Sequence, residues 1–465
     1  MRETAVAAET VAPISPLTPP LAQERPVVWP ERAQARLACG IPVRMVARHT
    51  IPKFSLQLIV RSGTAAVAAT EPAVASLTGA LLRTGTSGRD ERAIDEQLRR
   101  IGADLGTGCG ADASWIAASG LSEFSGELTG LVADLARNPS FPVGPFAREQ
   151  RNAVEAVRLE RTSPAFLVSE RFRGVLFGEH PYAVVAPTEA QMEAVTRDML
   201  LAFHLTHYSP ANALLLAVGD FSPPRLLDQF ESAFAGWSGG EVEQAEELPL
   251  PSHFGRHVAL VHTPGSVQTN ILAGNLAITR NHPDWLRLTL ANAIYGGAFH
   301  SRLVANIREQ KGYTYSTRSG LTALRRHGYF SVHAAVRNDV VAATLAEIFY
   351  ELDRIRALPV RDDELSDARA YLSGVFSLGI ATLSGLASQL TTLYLYDLPE
   401  DYLETYRERI RAFTADDVLA AARSHFDSAN TQIVLAGDAD KIEAQARLFG
   451  DVQVFDAHGK LLSAE

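Results

Sequence analysis

The chain has 465 residues, 46% of them hydrophobic and 21% charged, which is too long for one ordinary core and points to two to four domains. A formal charge of −10 argues against a nucleic-acid partner, because phosphate binding needs a basic face. With only Cys39 and Cys109, thiolate metal clusters and a disulfide framework are excluded, and no apolar run reaches the roughly eighteen residues of a membrane span.

Residues 1–30 are rich in Ala, Pro and Thr and read as a flexible leader, without the charged start and apolar stretch of a secretory signal. The expected compartment is the cytoplasm, or the periplasm if a signal peptide has been removed. "FSLQLIVRSG" (54–63) alternates as a strand. "EPAVASLTGALLRTGTSGR" (71–89) predicts an apolar helix stopped by a Gly-Thr-Ser-Gly turn, with no acid, base or metal ligand between Pro72 and Leu82. "GTGCGAD" (106–112) lacks the lysine and helix start of a phosphate loop and is expected as a turn or bulge between strands.

"VTRDMLLAFHLTHYSPANALLLAVGDF" (195–221) returns later as "FTADDVLAAARSHFDSANTQIVLAGDA" (413–439). Without a gap, Thr196, Asp198, His207, Asn212, Gly219 and Asp220 meet Thr414, Asp416, His425, Asn430, Gly437 and Asp438. Each copy predicts a Thr-capped helix, a short Asn-containing loop and an apolar strand ended by Gly-Asp. A match of this length indicates internal duplication. Residues 238–257 between the copies are acidic, with Gly and Pro, and have a linker composition. The chain therefore divides into the leader (1–30), a first domain (31–237), the linker (238–257) and a second domain (258–465). Later elements include a strand at "GYFSVHAAV" (328–336) and a helix at "DLPEDYLETYRERIRAF" (397–413). Strands interrupted by helices without regular βαβ spacing favour an α+β fold, an α/β sandwich in each half.

Candidate chemistry is sparse. Of thirteen histidines, only His204/His207 and His253/His257 are closely spaced, and neither pair has a suitably placed carboxylate, so no metal site is expected. No nucleophile elbow of the GxSxG type occurs. The most informative stretch is "IYGGAFHSRLVANIREQKGYTYSTRSG" (294–320). It predicts a Gly-Gly break, a helix with Leu303, Val304 and Ile307 on its apolar side, and a Lys-Gly stop entering a strand on which Tyr313 and Tyr315 share a face. Arg308, near the helix end, and Tyr315 would then converge on one surface, offering a rigid fork of donors and a phenol. The same pattern is equally that of an arginine neutralising its helix C-terminus beside a half-buried tyrosine.

This stretch resembles the signature of the second half of the pitrilysin-like zinc peptidases, in particular the mitochondrial processing peptidase branch and its bacterial half-length relatives. "LACGIPVRMVARHTIPKFSLQLIVRSGT", "LRRIGADLGTGCGADASWIAASG", "LFGEHPYA" (176–183) and "FHLTHYSPANALLLAVGDF" resemble other segments of that family, so the resemblance runs over nearly the whole chain after the leader. Active members carry HxxEH on their first helix and a distant third ligand, Glu. In them the histidines bind zinc and the motif's Glu acts as base toward the metal-bound water. Aligned on "VASLTGALLRTGT", those positions fall at Ser76, Gly79 and Ala80, and the third ligand at or beside Ala156, next to Glu155. The metal set is erased, while the family's Arg and Tyr, seven residues apart, match Arg308 and Tyr315. The resemblance implies a subunit that binds no zinc itself and pairs with a homologous partner carrying HxxEH and the zinc. Arg308 would position an unfolded peptide, Tyr315 would donate to the scissile carbonyl, and Gly296 and Gly297 would let a loop flex or approach substrate. The alternatives are a non-catalytic core subunit of a larger complex, a homodimeric peptide-binding clamp, and a peptidase complete in one chain.

Overall fold

In the computed structural model, residues 27, 29–69, 71–242 and 248–464 are described. Most of the 1–30 leader and the centre of the 238–257 linker lie outside them. Among the described residues no single helix is long and apolar enough to cross a membrane.

The fold is α+β and built on two sheets. The first holds β1 (Arg32–Arg36), β2 (Pro42–Ala47), β3 (Lys53–Val60), β4 (Asp104–Cys109), β5 (Ser114–Leu121) and β6 (Ala213–Gly219), in the order β1-β2-β6-β3-β5-β4. The second holds β7 (His257–His262), β8 (Gln268–Ala277), β9 (Thr317–Ala323), β10 (Gly328–Arg337), β11 (Gln432–Gly437), β12 (Asp451–Phe455) and β13 (Leu461–Ala464), in the order β13-β12-β7-β11-β8-β10-β9. The run β2-β6-β3-β5-β4 matches β7-β11-β8-β10-β9 strand for strand. In both, the central strand is parallel to one neighbour and antiparallel to the other. The duplication read in the sequence is thus a duplication of topology.

The repeated residues have repeated jobs. Thr196 and Thr414 cap their helices by accepting from the Met199 and Asp417 amides. Gly219 and Gly437 close β6 and β11 where a Cβ would lie 2.2 Å from the Lys53 carbonyl oxygen and 2.5 Å from Thr269 Oγ1. Only glycine lets those central strands pass so close to their neighbours. β6 and β11 are buried along their whole length, as expected of strands covered on both faces.

What covers those faces joins the two halves. One face of the first sheet packs on its own helices, including Pro72–Leu81, Ser125–Arg137 and Arg197–His207. Its other face receives Leu386, Leu390 and Leu393 of helix Leu383–Leu395 from the far end of the chain. Reciprocally, helix Pro164–Phe177 sends Leu167, Val168 and Phe172 onto the second sheet beside Val434 and Ala436. Each sheet is therefore sandwiched by one helix from the other half, and large apolar areas that neither half could cover alone leave water together. Polar bolts reinforce the exchange. Arg61 stacks 3.8 Å from the Tyr394 ring and pairs with Asp397 at 2.6 Å, while Asp112 binds the Tyr182 hydroxyl and accepts from the Arg325 amide at 2.9 Å.

Two local expectations are corrected. The glycines of "GTGCGAD" are not a turn up to Cys109: they continue β4, because the indole of Trp115 on β5 lies over Gly106 and Gly108, where side chains would collide with it. Tyr313 and Tyr315 precede β9 rather than sharing a face within it, since the strand begins at Thr317. Tyr313 packs half-buried on the core while Tyr315 stands out into solvent.

Candidate functional site

The positions aligned with the lost metal set lie on helix Pro72–Leu81 and on helix Val143–Glu160. Ser76 turns its hydroxyl back onto its own helix, donating to the Pro72 and Ala73 carbonyls at 3.1 and 3.3 Å. Gly79 is buried against the edge strand β4. A Cβ there would sit 2.7 Å from the Gly108 carbonyl carbon and 3.0 Å from Cys109 Cβ. The place of a catalytic glutamate is thus filled by backbone, and a longer side chain would have to push β4 away. Ala80 and Ala156 are exposed, and Glu155 is held at the surface by Arg158 at 2.7 Å. Beside this helix Cys109 is no substitute ligand, because burial pushes its thiol up to about 11, against an opposing hydrogen bond from Ser114. Residues 76, 79, 80 and 156 carry no side chain of a usual zinc-ligating type, and at Gly79 the backbone of β4 stands where a longer side chain would go.

The histidine pairs separate in the same way. His204 Nε2 lies 2.8 Å from the Ala136 carbonyl, and His207 Nδ1 lies 3.1 Å from Ser62 Oγ. Burial lowers the pKa of both. His257 turns to the Phe254 carbonyl at 3.1 Å. One mixed group that spacing along the chain did not reveal is His282, Asp284 and His425, whose ligand atoms lie within 4.8 Å of one another. Each member already has a hydrogen-bond partner. The Asp284 amide donates to His282 Nδ1 at 3.1 Å, His425 Nε2 meets one carboxylate oxygen at 3.2 Å, and Arg287 holds the other at 2.9 Å. The His425 hydrogen bond is the main cause of a lowered Asp284 pKa. Asp284 stands at the N-cap of helix Trp285–Asn292, and His425 occupies the repeat position of His207, so the group ties a helix start to a helix end.

Arg308 and Tyr315 are brought together. The chain leaves helix Trp285–Asn292 through a π-helical turn, Ala293–Gly297, re-enters a helix at Arg302, and widens again into a π-helical stretch, Val304–Gln310. Leu303, Val304 and Ile307 are buried as the pattern required, and Gly312, at φ 62°, makes the left-handed stop. Within this frame the Arg308 guanidinium lies 4.8 Å from the Tyr315 ring centre and 5.1 Å from that of Phe299. Its ion-pair partner is the adjacent Glu309, 3.3 Å from Nε. Tyr315 is 85% exposed and Phe299 62%, so the half-buried Arg308 guanidinium lies beside two solvent-facing rings, with its terminal nitrogens free of partners among the described residues. π-Helical turns are uncommon and concentrate at functional sites.

Gly296 and Gly297 have a different role from the one expected. A Cβ on Gly296 would lie 2.6 Å from Ser319 Oγ, and one on Gly297 would lie 2.5 Å from Asn292 Nδ2. They permit close packing of the π-turn on β9 and on its own helix. Sequence reasoning also missed Arg302. It is 7% exposed and bound bidentately to Glu364 at 2.8 and 2.9 Å, anchoring the segment to helix Asp362–Gly379. Phe299 was missed because an apolar residue after Gly-Gly carries no mark of exposure.

Residues 194–372 match the family described as the peptidase M16 inactive domain. A Rickettsia bellii protein named as an uncharacterized zinc protease is 23% identical over 407 residues, covering 86% of this chain and 96% of that protein. A crystal structure described as a peptidase M16 inactive domain from Pseudomonas fluorescens is 28% identical, with a TM-score of 0.80 over 87% of this chain and 98% of that one. A protease structure from Helicobacter pylori shares the fold at a TM-score of 0.80 and 18% identity, covering 88% of this chain and 99% of that one.

Proposed function

The chain belongs to the M16 peptidase family and carries its inactive domain, and from that membership we propose that it is the substrate-positioning subunit of a two-chain zinc peptidase acting on unfolded peptides. The observation that carries this reading is the pairing of a closed position at Gly79 with a half-buried Arg308 beside an exposed Tyr315. A chain serving only as packing has no use for a cation beside two solvent-facing rings.

In this reading the partner's HxxEH helix holds the zinc, which supplies an activated water. This chain contributes geometry and charge. The Arg308 guanidinium, set beside the Phe299 and Tyr315 rings, donates to peptide carbonyl oxygens as a planar fork. The Tyr315 phenol donates to the scissile carbonyl oxygen as it gains negative charge, a stabilisation worth about 3 kcal/mol when the donor is preorganised. The unpaired edges β4 and β9 offer backbone groups to an extended chain, and Tyr315 lies two residues before β9.

The test is co-purification with an HxxEH homologue followed by a peptide-cleavage assay. Arg308→Ala and Tyr315→Phe should each lower turnover while the pair stays associated. Unchanged turnover in both variants returns the residues to a packing role.

A further inference from the structure

Phe299 leaves the π-turn on extended backbone, since Ala298 has φ −109° and ψ 158°, and this throws the ring outward beside Arg308. Its measured neighbours are the His300 ring, edge-on at 5.6 Å, and the Arg308 guanidinium. A large apolar side chain left 62% exposed next to a charge has gained little from folding. Tyr315, the second ring beside the cation, is more exposed still. Each ring gives one face to the guanidinium and keeps the rest free. The three groups therefore present an apolar wall, a row of N–H donors and a second apolar wall carrying a hydroxyl. A peptide meets such a surface best with a carbonyl oxygen on the donors and an adjoining apolar side chain against a ring.

Resting on the function proposed above, we propose that Phe299 is a specificity-determining residue of the peptide site, its ring selecting an apolar, preferentially aromatic, side chain next to the carbonyl that Arg308 holds. Phe299 makes no bond to the reacting atoms. It sets which peptides dwell there.

The experiment uses the full chain and fluorescein-labelled dodecapeptides of Gly, Ser and Asn that differ only in one central residue, Phe, Leu or Ser, with binding read by anisotropy. Wild type should bind the Phe peptide about tenfold more tightly than the Ser peptide, the discrimination one apolar contact supplies. Phe299→Ala should bring that ratio below about threefold with little change for the Ser peptide, Phe299→Leu should keep the preference for the apolar peptides, and thermal unfolding should stay unchanged in both. An unaltered ratio in Phe299→Ala, with every peptide weakened by Arg308→Ala, overturns this inference and leaves the proposed function standing. Binding of no peptide, or binding indifferent to both Arg308→Ala and Tyr315→Phe, overturns the two together.

Discussion

Helix Pro72–Leu81 and the segment from Trp285 to Gln310 occupy matching places in the duplicated topology, each following a central strand and lying on an edge strand. Both use a glycine for the contact: Gly79 against Gly108 of β4, and Gly296 against Ser319 of β9. There the likeness ends. The first element is apolar, seals its edge strand and carries no group capable of chemistry. The second breaks into π-helical turns, and by displacing the backbone from regular register it delivers Phe299, Arg308 and Tyr315 to one exposed spot. Duplication has preserved the packing rule and separated the roles, with closure in one copy and presentation in the other.

The comparison breaks most visibly at two arginines of the second segment. Arg302→Ala should cost about 1.5–3 kcal/mol in chemical denaturation, because half-buried Glu364 loses its bidentate partner and keeps only the Arg361 amide. Arg308→Ala should change stability by less than about 0.5 kcal/mol, as expected of a surface change. In the proposed two-chain peptidase the order should invert. Tyr315→Phe should lower kcat by about a hundredfold or more, the loss of one oxyanion donor, with the melting temperature as control. Equal stability losses at Arg302 and Arg308 would make the two arginines alike and remove the distinction. At the closed position, Gly79→Ala should destabilise by about 1–2 kcal/mol, since overpacking against β4 outweighs the roughly 1 kcal/mol gained in helix propensity. A stabilised Gly79→Ala would mean that room for a side chain exists there. Smallest is the response to acid. Burial holds the pKa of His204 and His207 below the unfolded value, so both stay neutral in the fold while the unfolded chain takes up protons. Stability present above about pH 6.5 is lost as pH falls toward their folded values. The melting temperature should decline from pH 7 to 5, with a shallower slope in His204→Gln.

The sequence disclosed the duplication because its markers are local: a Thr cap, a helix-ending His and a closing Gly-Asp act within a few residues of themselves. It also brought Arg308 and Tyr315 near one another, as their 4.8 Å contact has them. It did not disclose the exchange of helices Pro164–Phe177 and Leu383–Leu395, since an apolar helix does not state which sheet it will cover. The path of β4 through glycines depends on Trp115, a cross-strand neighbour. Tyr313 and Tyr315 alternate like strand residues, yet the ladder to β10 pairs only from Thr317. Arg302 carries the same charge as Arg308 in the sequence, and only Glu364, on a distant helix, makes it structural.

The central claim is that chemistry at the first copy has been replaced by closure, so that a zinc-bearing partner is required. Peptide hydrolysis should be measured with the purified chain at saturating zinc, then after addition of an HxxEH homologue that co-purifies with it. The account predicts no turnover from the chain alone and zinc-dependent cleavage from the mixture. Zinc-dependent cleavage by the chain alone would contradict it.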